Sequence, residues 1–158
     1  MIDKRLYRDP PFLLSMALLL ALGAAVACAG EYNESDGVAI HGYDPVAYQT
    51  EQRPVPGEAA FTAEYKGSTF RFRSAVNRDA FLAQPDRYAP QFGGFCAFGV
   101  SRGYKADISP EAFSVVDGKL YLNYNAEVKA RWSGDIPGYL AKARDQWPAV
   151  EKTTRVIR

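Results

Sequence analysis

Cys96 lies in a run of glycines and aromatics, Phe92-Gly93-Gly94-Phe95-Cys96-Ala97-Phe98-Gly99, and the single histidine, His41, stands beside Gly42. Thiolate and imidazole are ligands that copper(I) and zinc sites use, two to four at a time. The other cysteine, Cys28, falls in a leader segment treated below, so Cys96 and His41 are the soft-ligand set of the remaining chain. A Cys96–His41 pair could hold copper(I) if folding brings the two together. A homodimer that joins two copies of Cys96 would raise the ligand count to four. A second possibility is a reactive thiol, which needs a nearby cation, and Arg102, Lys105 and His41 are the candidates. A third is a small apolar side chain buried among aromatics, since free cysteine is among the most buried residue types. One thiol cannot close an internal disulfide.

Other residues suit binding better than catalysis. Tyr43, Asp44, Tyr48, Phe95, Cys96 and Tyr104 are candidate ligand-binding residues, the aromatics because they combine apolar area with, in tyrosine, a polar tip. Asp44 precedes Pro45, so its carboxylate is also placed to accept local backbone amides in a turn. No paired carboxylates, Gly-x-Ser-x-Gly, phosphate loop, Cys-x-x-Cys or haem attachment sequence is present, and no catalytic residue is assigned.

The chain opens with Lys4, Arg5 and Arg8 and continues in an apolar run from Phe12 to Ala27. A basic segment before a short apolar stretch reads as a secretory signal over residues 1–29, cleaved after the small-x-small triplet Ala27-Cys28-Ala29. Two alternatives stay open: a lipoprotein leader ending before Cys28, whose sulfur would carry the lipid, and an uncleaved membrane anchor. Each predicts an exported, periplasmic protein that meets the membrane only through this segment. Loss of the leader removes three basic and two acidic residues from totals of 19 and 18, leaving 16 of each. A balanced chain without a basic block has no electrostatic footprint for nucleic acid.

The elements that must position Cys96 and His41 follow from periodicity. Residues 30–37 are polar and read as a tether, with the domain spanning 38–148 and a flexible tail over 149–158. Phe61, Ala63 and Tyr65, the Gly67-Ser68 turn, then Phe70 and Phe72 predict a β-hairpin with one aromatic face. Ser74 caps a helix over Ala75–Gln84 that Pro85 ends. Pro90 to Gly103 is rich in glycine and reads as a loop carrying Cys96. Ser109-Pro110-Glu111 opens a helical turn, and Asp117-Gly118 between apolar runs predicts a second hairpin. Helices follow over Ala126–Trp132, capped by Asn125, and Ile136–Trp147, stopped by Pro148. The class is α+β, a small single domain with two β-hairpins packed against three to four short helices. An offset of 51 aligns Gly67 with Gly118, Phe70 with Tyr121, Ala75 with Ala126 and Phe81 with Trp132, which hairpin-helix grammar or a duplication would each produce.

Three segments together resemble the YHS-domain family. Gly42-Tyr43-Asp44-Pro45-Val46-Ala47-Tyr48 resembles its Asp-Pro-Val opening. Tyr65-Lys66-Gly67-Ser68-Thr69-Phe70-Arg71-Phe72-Arg73-Ser74, with Phe81, Pro85, Asp86 and Tyr88, resembles its hairpin, helix and Pro-x-x-Tyr ending. The likeness covers Val38 to Tyr88, and Gly93-Gly94-Phe95-Cys96-Ala97 with Asp117 to Asn123 is similar to an extended secreted branch. The resemblance implies a small α+β domain associated in many members with soft-metal handling, copper included. The family's metal cysteines match Ala47, Arg73 and Asn77 here, so that thiol site does not carry over.

Taken together, the expected function is a non-enzymatic exported module that binds a small ligand, a metal or a periplasmic protein through the loop around Cys96 and the Gly42–Tyr48 segment, as a monomer or homodimer. The alternatives are a copper-handling protein using Cys96 with His41 or a second subunit, and a thiol-based redox sensor.

Overall fold

The computed structural model describes residues 31–158, and the leader with its Cys28 lies outside them. A two-residue ladder pairs β1 (Glu34–Ser35) with β2 (Val38–Ala39), and a single turn of 3-10 helix over Ile40–Gly42 leads to α1 (Pro45–Thr50). The first hairpin follows, β3 (Glu58–Tyr65) antiparallel to β4 (Ser68–Phe72). Next come α2 (Ala75–Ala83), α3 (Pro85–Tyr88) and a second 3-10 turn over Gln91–Gly94 that opens into α4 (Ala97–Ser101). β5 (Lys105–Ala106) precedes the second hairpin, β6 (Ser109–Val116) with β7 (Lys119–Asn123). The chain ends in α5 (Ala126–Ser133), α6 (Ile136–Val150) and β8 (Val156–Ile157), which lies parallel to β5.

The α+β class with two hairpins agrees with the sequence. Among the described residues there are six α-helices rather than three to four, because the short helices α1, α3 and α4 join the expected ones, α4 with a 3-10 turn replacing the loop expected after Pro90. Ser74 and Asn125 cap α2 and α5 as expected, each accepting the N–H three residues on.

Four expectations about chain order change. Residues 31–37 are not a tether: Tyr32 and Asn33 are buried, and Asn33 N–H donates to Gly93 O at 2.7 Å. Ser109-Pro110-Glu111 starts a strand rather than a helical turn. Ser109 pairs with Asn123, the ladder is irregular between Ser109 and Phe113, and Pro110, with no N–H to give, sits in that irregular stretch. Helix α6 continues through Pro148 to Val150, because Val150 is buried beside Ala143, Val100 and Phe95. The tail is docked: Lys105 and Ala106 pair with Val156 and Ile157, and Asp107 N–H donates to Ile157 O at 2.8 Å.

The core is aromatic and built around the two hairpins. Phe70, Phe72 and Phe81 stack at centroid separations of 5.0 to 5.2 Å under Val46 and Tyr88. Trp132 packs on Tyr121 and Leu140 in the second half. Between them, Ile40, Tyr48, Cys96, Ile108, Leu120 and Leu122 form a cluster fed by both halves of the chain.

At the start of α1 lies a buried carboxylate with both oxygens hydrogen-bonded. Asp44 is fully buried. One carboxylate oxygen accepts the N–H groups of Val46 and Ala47 at 2.8 and 3.2 Å. The other accepts Arg73 N–H at 2.9 Å and the Asn77 side-chain amide at 2.7 Å. A buried carboxylate is tolerable only when hydrogen bonds replace its water, and four donors do so here. The same four bonds tie α1 to the end of β4 and the first turn of α2.

Candidate functional site

Cys96 caps α4 from inside the protein, with 1 % of its surface exposed. Its backbone N–H donates to Ala106 O at 3.0 Å. Its sulfur accepts Gly99 N–H at 3.4 Å and donates to Asn123 Oδ1 at 3.7 Å, an oxygen that also takes Phe98 N–H at 3.2 Å. Burial pushes the thiol up from its ordinary value, outweighing the Gly99, Tyr124 and Phe98 amides that favour the thiolate. The flanking glycines are explained by the chain itself. A Cβ on Gly94 would lie 2.6 Å from Ile40 Cγ2, and one on Gly93 would lie 2.6 Å from Glu31 O. They admit the neighbouring 3-10 turn and the N-terminal strand rather than an incoming ligand.

His41 ends on a different partner. Its backbone takes a positive φ of 57°, and its Nε2 meets Asp107 Oδ1 at 2.7 Å. Asp107 Oδ1 also accepts Asn33 Nδ2 and Ile108 N–H, both at 2.9 Å, and Arg158 approaches the other oxygen at 3.5 Å. Burial raises the Asp107 carboxyl, but the hydrogen bonds from Asn33, His41 and Ile108 and the His41 charge hold it below its usual value. Asp107 therefore clamps the N-terminal strand, the first 3-10 turn and the C-terminus together. Neither Asp107 nor Asn33 carries a sequence signal beyond being a polar residue among apolar ones. Among the described residues no group of three His, Cys, Asp or Glu side chains is placed to hold a metal ion.

The proposed ligand residues do not gather at one opening. Asp44 and Tyr48 are wholly buried, and the Tyr48 hydroxyl donates to Pro110 O at 3.1 Å while burial raises its pKa. Phe95 is buried beneath the Lys105 ammonium, 4.7 Å from the ring centroid. Tyr43 is half-buried against the cluster around Ile40 and Tyr48. Only Tyr104 is exposed, beside a cavity of about 310 Å³ shared with Lys105, Thr153 and Ile157. The burial of Cys96 also removes the surface on which two copies could join their thiols.

A larger cavity than the one beside Tyr104 lies elsewhere. A groove of about 530 Å³ runs between Tyr32, Lys66 and Asp86 of the first half and Phe92, Trp147 and Glu151 of the second, with Lys105 and Lys152 on its wall. An adjoining cavity of about 450 Å³ shares Tyr32, Lys105, Glu151 and Lys152 with it. Lys105 Nζ donates to the carbonyls of Glu151 and Thr153 at 2.9 and 2.8 Å, at the negative end of α6, and burial lowers its pKa. Asp86 accepts the Tyr65 hydroxyl at 2.6 Å, and this bond with burial pushes Tyr65 up to about 12.

The sequence profile of the YHS domain family matches residues 46–92, from α1 to the second 3-10 turn. The chain contains a YHS domain. No curated protein and no solved structure matches the chain. Within the YHS domain, the three positions where the family resemblance places thiols converge on one atom group: Ala47 N–H, Arg73 N–H and the Asn77 amide all donate to Asp44. Hydrogen-bond donors thus stand where metal-binding sulfurs would, around a carboxylate they already satisfy.

The environment of Cys96 gives a direct expectation for thiol chemistry. Under native conditions at pH 8, an aromatic disulfide reagent labels Cys96 at least about 100-fold more slowly than a free thiol and reaches full labelling only in denaturant. Native-state labelling at the free-thiol rate would show an accessible thiolate instead.

Proposed function

We propose that this YHS-domain protein is a non-catalytic binding module whose ligand surface is the groove between Tyr32, Phe92 and Trp147. The observation that carries the reading is the groove itself. Its volume of about 530 Å³ lies within the range of small-molecule sites, and its lining combines three aromatic rings with alternating charges from both halves of the chain. Such walls suit a small polar molecule with an aromatic part. Cys96 and the Asp44–Tyr48 stretch are buried and do not line this groove. Copper handling and thiol redox sensing are less well supported, since Cys96 and His41 are committed to Asn123 and Asp107 respectively.

The probe 8-anilinonaphthalene-1-sulfonate tests the groove. It should bind one site saturably with a dissociation constant of tens of micromolar, and Trp147→Ala should weaken it about tenfold, roughly 1.4 kcal/mol. Val76→Thr on the exposed face of α2 should change nothing. Absence of saturation, or equal binding by wild type and Trp147→Ala, overturns the assignment.

We also propose export to the periplasm, supported by the basic and apolar leader before Ala29. Protein recovered from the periplasmic fraction should begin at Gly30, or at an acylated Cys28. Recovery from the cytoplasm with Met1 retained contradicts export.

A further inference from the structure

The two halves of the chain repeat each other far more closely than their sequences do. The first hairpin pairs Glu58 with Phe72, Thr62 with Arg71, Ala63 with Phe70, Glu64 with Thr69 and Tyr65 with Ser68. The second pairs Ser109 with Asn123, Phe113 with Leu122, Ser114 with Tyr121, Val115 with Leu120 and Val116 with Lys119. Every pair is displaced by 51 residues, and the ladder breaks at the same place in both. The turns agree, with Lys66 and Gly67 at φ 48° and 76° and Asp117 and Gly118 at 50° and 70°. Ser74 and Asn125 cap the helices that follow, and Phe81 and Trp132, 51 apart, are both wholly buried. Gln84 and Asp135 take the same unusual backbone, φ −144° and ψ 63° against φ −152° and ψ 65°, before a proline-containing first turn and then Tyr88 or Tyr139.

A hairpin followed by a helix could converge on some of this. The segments before the hairpins could not do so readily, because their correspondence is irregular. Ile40, His41 and Gly42 have φ of 45°, 57° and 76°, and 52 residues on, Phe92, Gly93 and Gly94 have 53°, 60° and 70°. Left-handed backbone is costly for the non-glycine residues of this set, and two unrelated segments have no local reason to share it. Tyr43 N–H donates to Ile40 O as Phe95 N–H donates to Phe92 O, at 3.2 and 3.1 Å. Asp44 N–H reaches Val55 O at 2.8 Å, and Cys96 N–H reaches Ala106 O at 3.0 Å. The offset drops from 52 to 51 after the helix, where α1 has six residues and α4 five.

We infer that residues 92–139 are a second copy of the YHS unit, beyond the stretch that the family profile matches, and that Cys96 is its counterpart of Asp44. The surroundings agree. Gly99 N–H, the counterpart of Ala47 N–H, donates to the Cys96 sulfur. Tyr124, the counterpart of Arg73, directs its backbone amide at the same sulfur. Phe98, the counterpart of Val46, turns its N–H to Asn123 Oδ1 instead. Asn123 Nδ2 is buried with no partner. The second copy therefore keeps the backbone donors of a buried carboxylate, while Val128 stands where Asn77 gives its side-chain amide and the acceptor has changed. An aspartate at 96 would accept the Phe98 and Gly99 amides, and Asn123, with its amide reversed, would give Nδ2 to the second oxygen as Asn77 does at Asp44.

Thermal unfolding of Cys96→Asp at pH 7 decides the matter, with Cys96→Ala and Val100→Asp as references. Val100 is also wholly buried, within one turn of Cys96, but corresponds to Tyr48 and has no such donor set. Cys96→Asp should unfold cooperatively within about 5 °C of wild type, while Val100→Asp loses the cooperative transition. If Cys96→Asp collapses as Val100→Asp does while Cys96→Ala remains folded, position 96 is not the second Asp44 and the duplication inference fails.

Discussion

A buried carboxylate held by amide donors organises the first half of this protein. Asp44 has no cation within its hydrogen-bond set; three backbone amides and one side-chain amide replace its water. Those donors come from α1, the end of β4 and α2, so satisfying one side chain fixes the positions of three elements. Packing then follows from that geometry. With α1 held against the hairpin, Val46 lies in the aromatic cluster of Phe70, Phe72 and Phe81, while Tyr48 on the same helix enters the cluster shared with Ile108, Leu120 and Leu122. A helix of six residues has little stability of its own, and both its cap and its burial come from tertiary structure.

The second half solves the same problem with softer chemistry. Cys96 holds α4 through its sulfur, Asn123 supplies the oxygen that the thiol lacks, and the long helix α6 covers α4 with Ala143, Trp147 and Val150. The two halves are then locked by strands at the chain ends. Asp107 gathers Asn33, His41 and Arg158, and β8 lies along β5, so the N- and C-terminal segments close over the seam where the groove lies. The proposed binding surface lies at this seam, while Cys96, His41 and Asp44 are bonded within the fold.

Much of the architecture was legible from local rules. Asp117-Gly118 marked one hairpin turn and Gly67-Ser68 the other, which closes one residue earlier at Lys66-Gly67. Ser74 and Asn125 marked helix starts, and the Asp44-Pro45 pair announced a turn whose carboxylate accepts amides. What could not be read was tertiary. The polarity of residues 31–37 hid the burial of Tyr32 and Asn33, because their partners, Gly93 and Asp107, lie more than 50 residues away. Pro148 looked like a stop, yet packing of Val150 carries α6 past it. Tyr43, Asp44, Tyr48 and Phe95 read as binding residues since aromatic and acidic side chains serve surfaces and cores alike, and only the fold distinguishes the two uses. The repeat was visible at four positions, but its decisive marks are backbone angles at Ile40, His41, Phe92 and Gly93 that residue types do not reveal.

Chemical denaturation of Asp44→Ala against wild type measures the interaction on which this account depends. Removing the carboxylate leaves the buried Val46 and Ala47 amides without their partner, uncaps α1 and frees the Arg73 and Asn77 donors, which predicts a loss of about 3 kcal/mol or more in unfolding free energy. A variant within about 0.5 kcal/mol of wild type would contradict the central role given to Asp44.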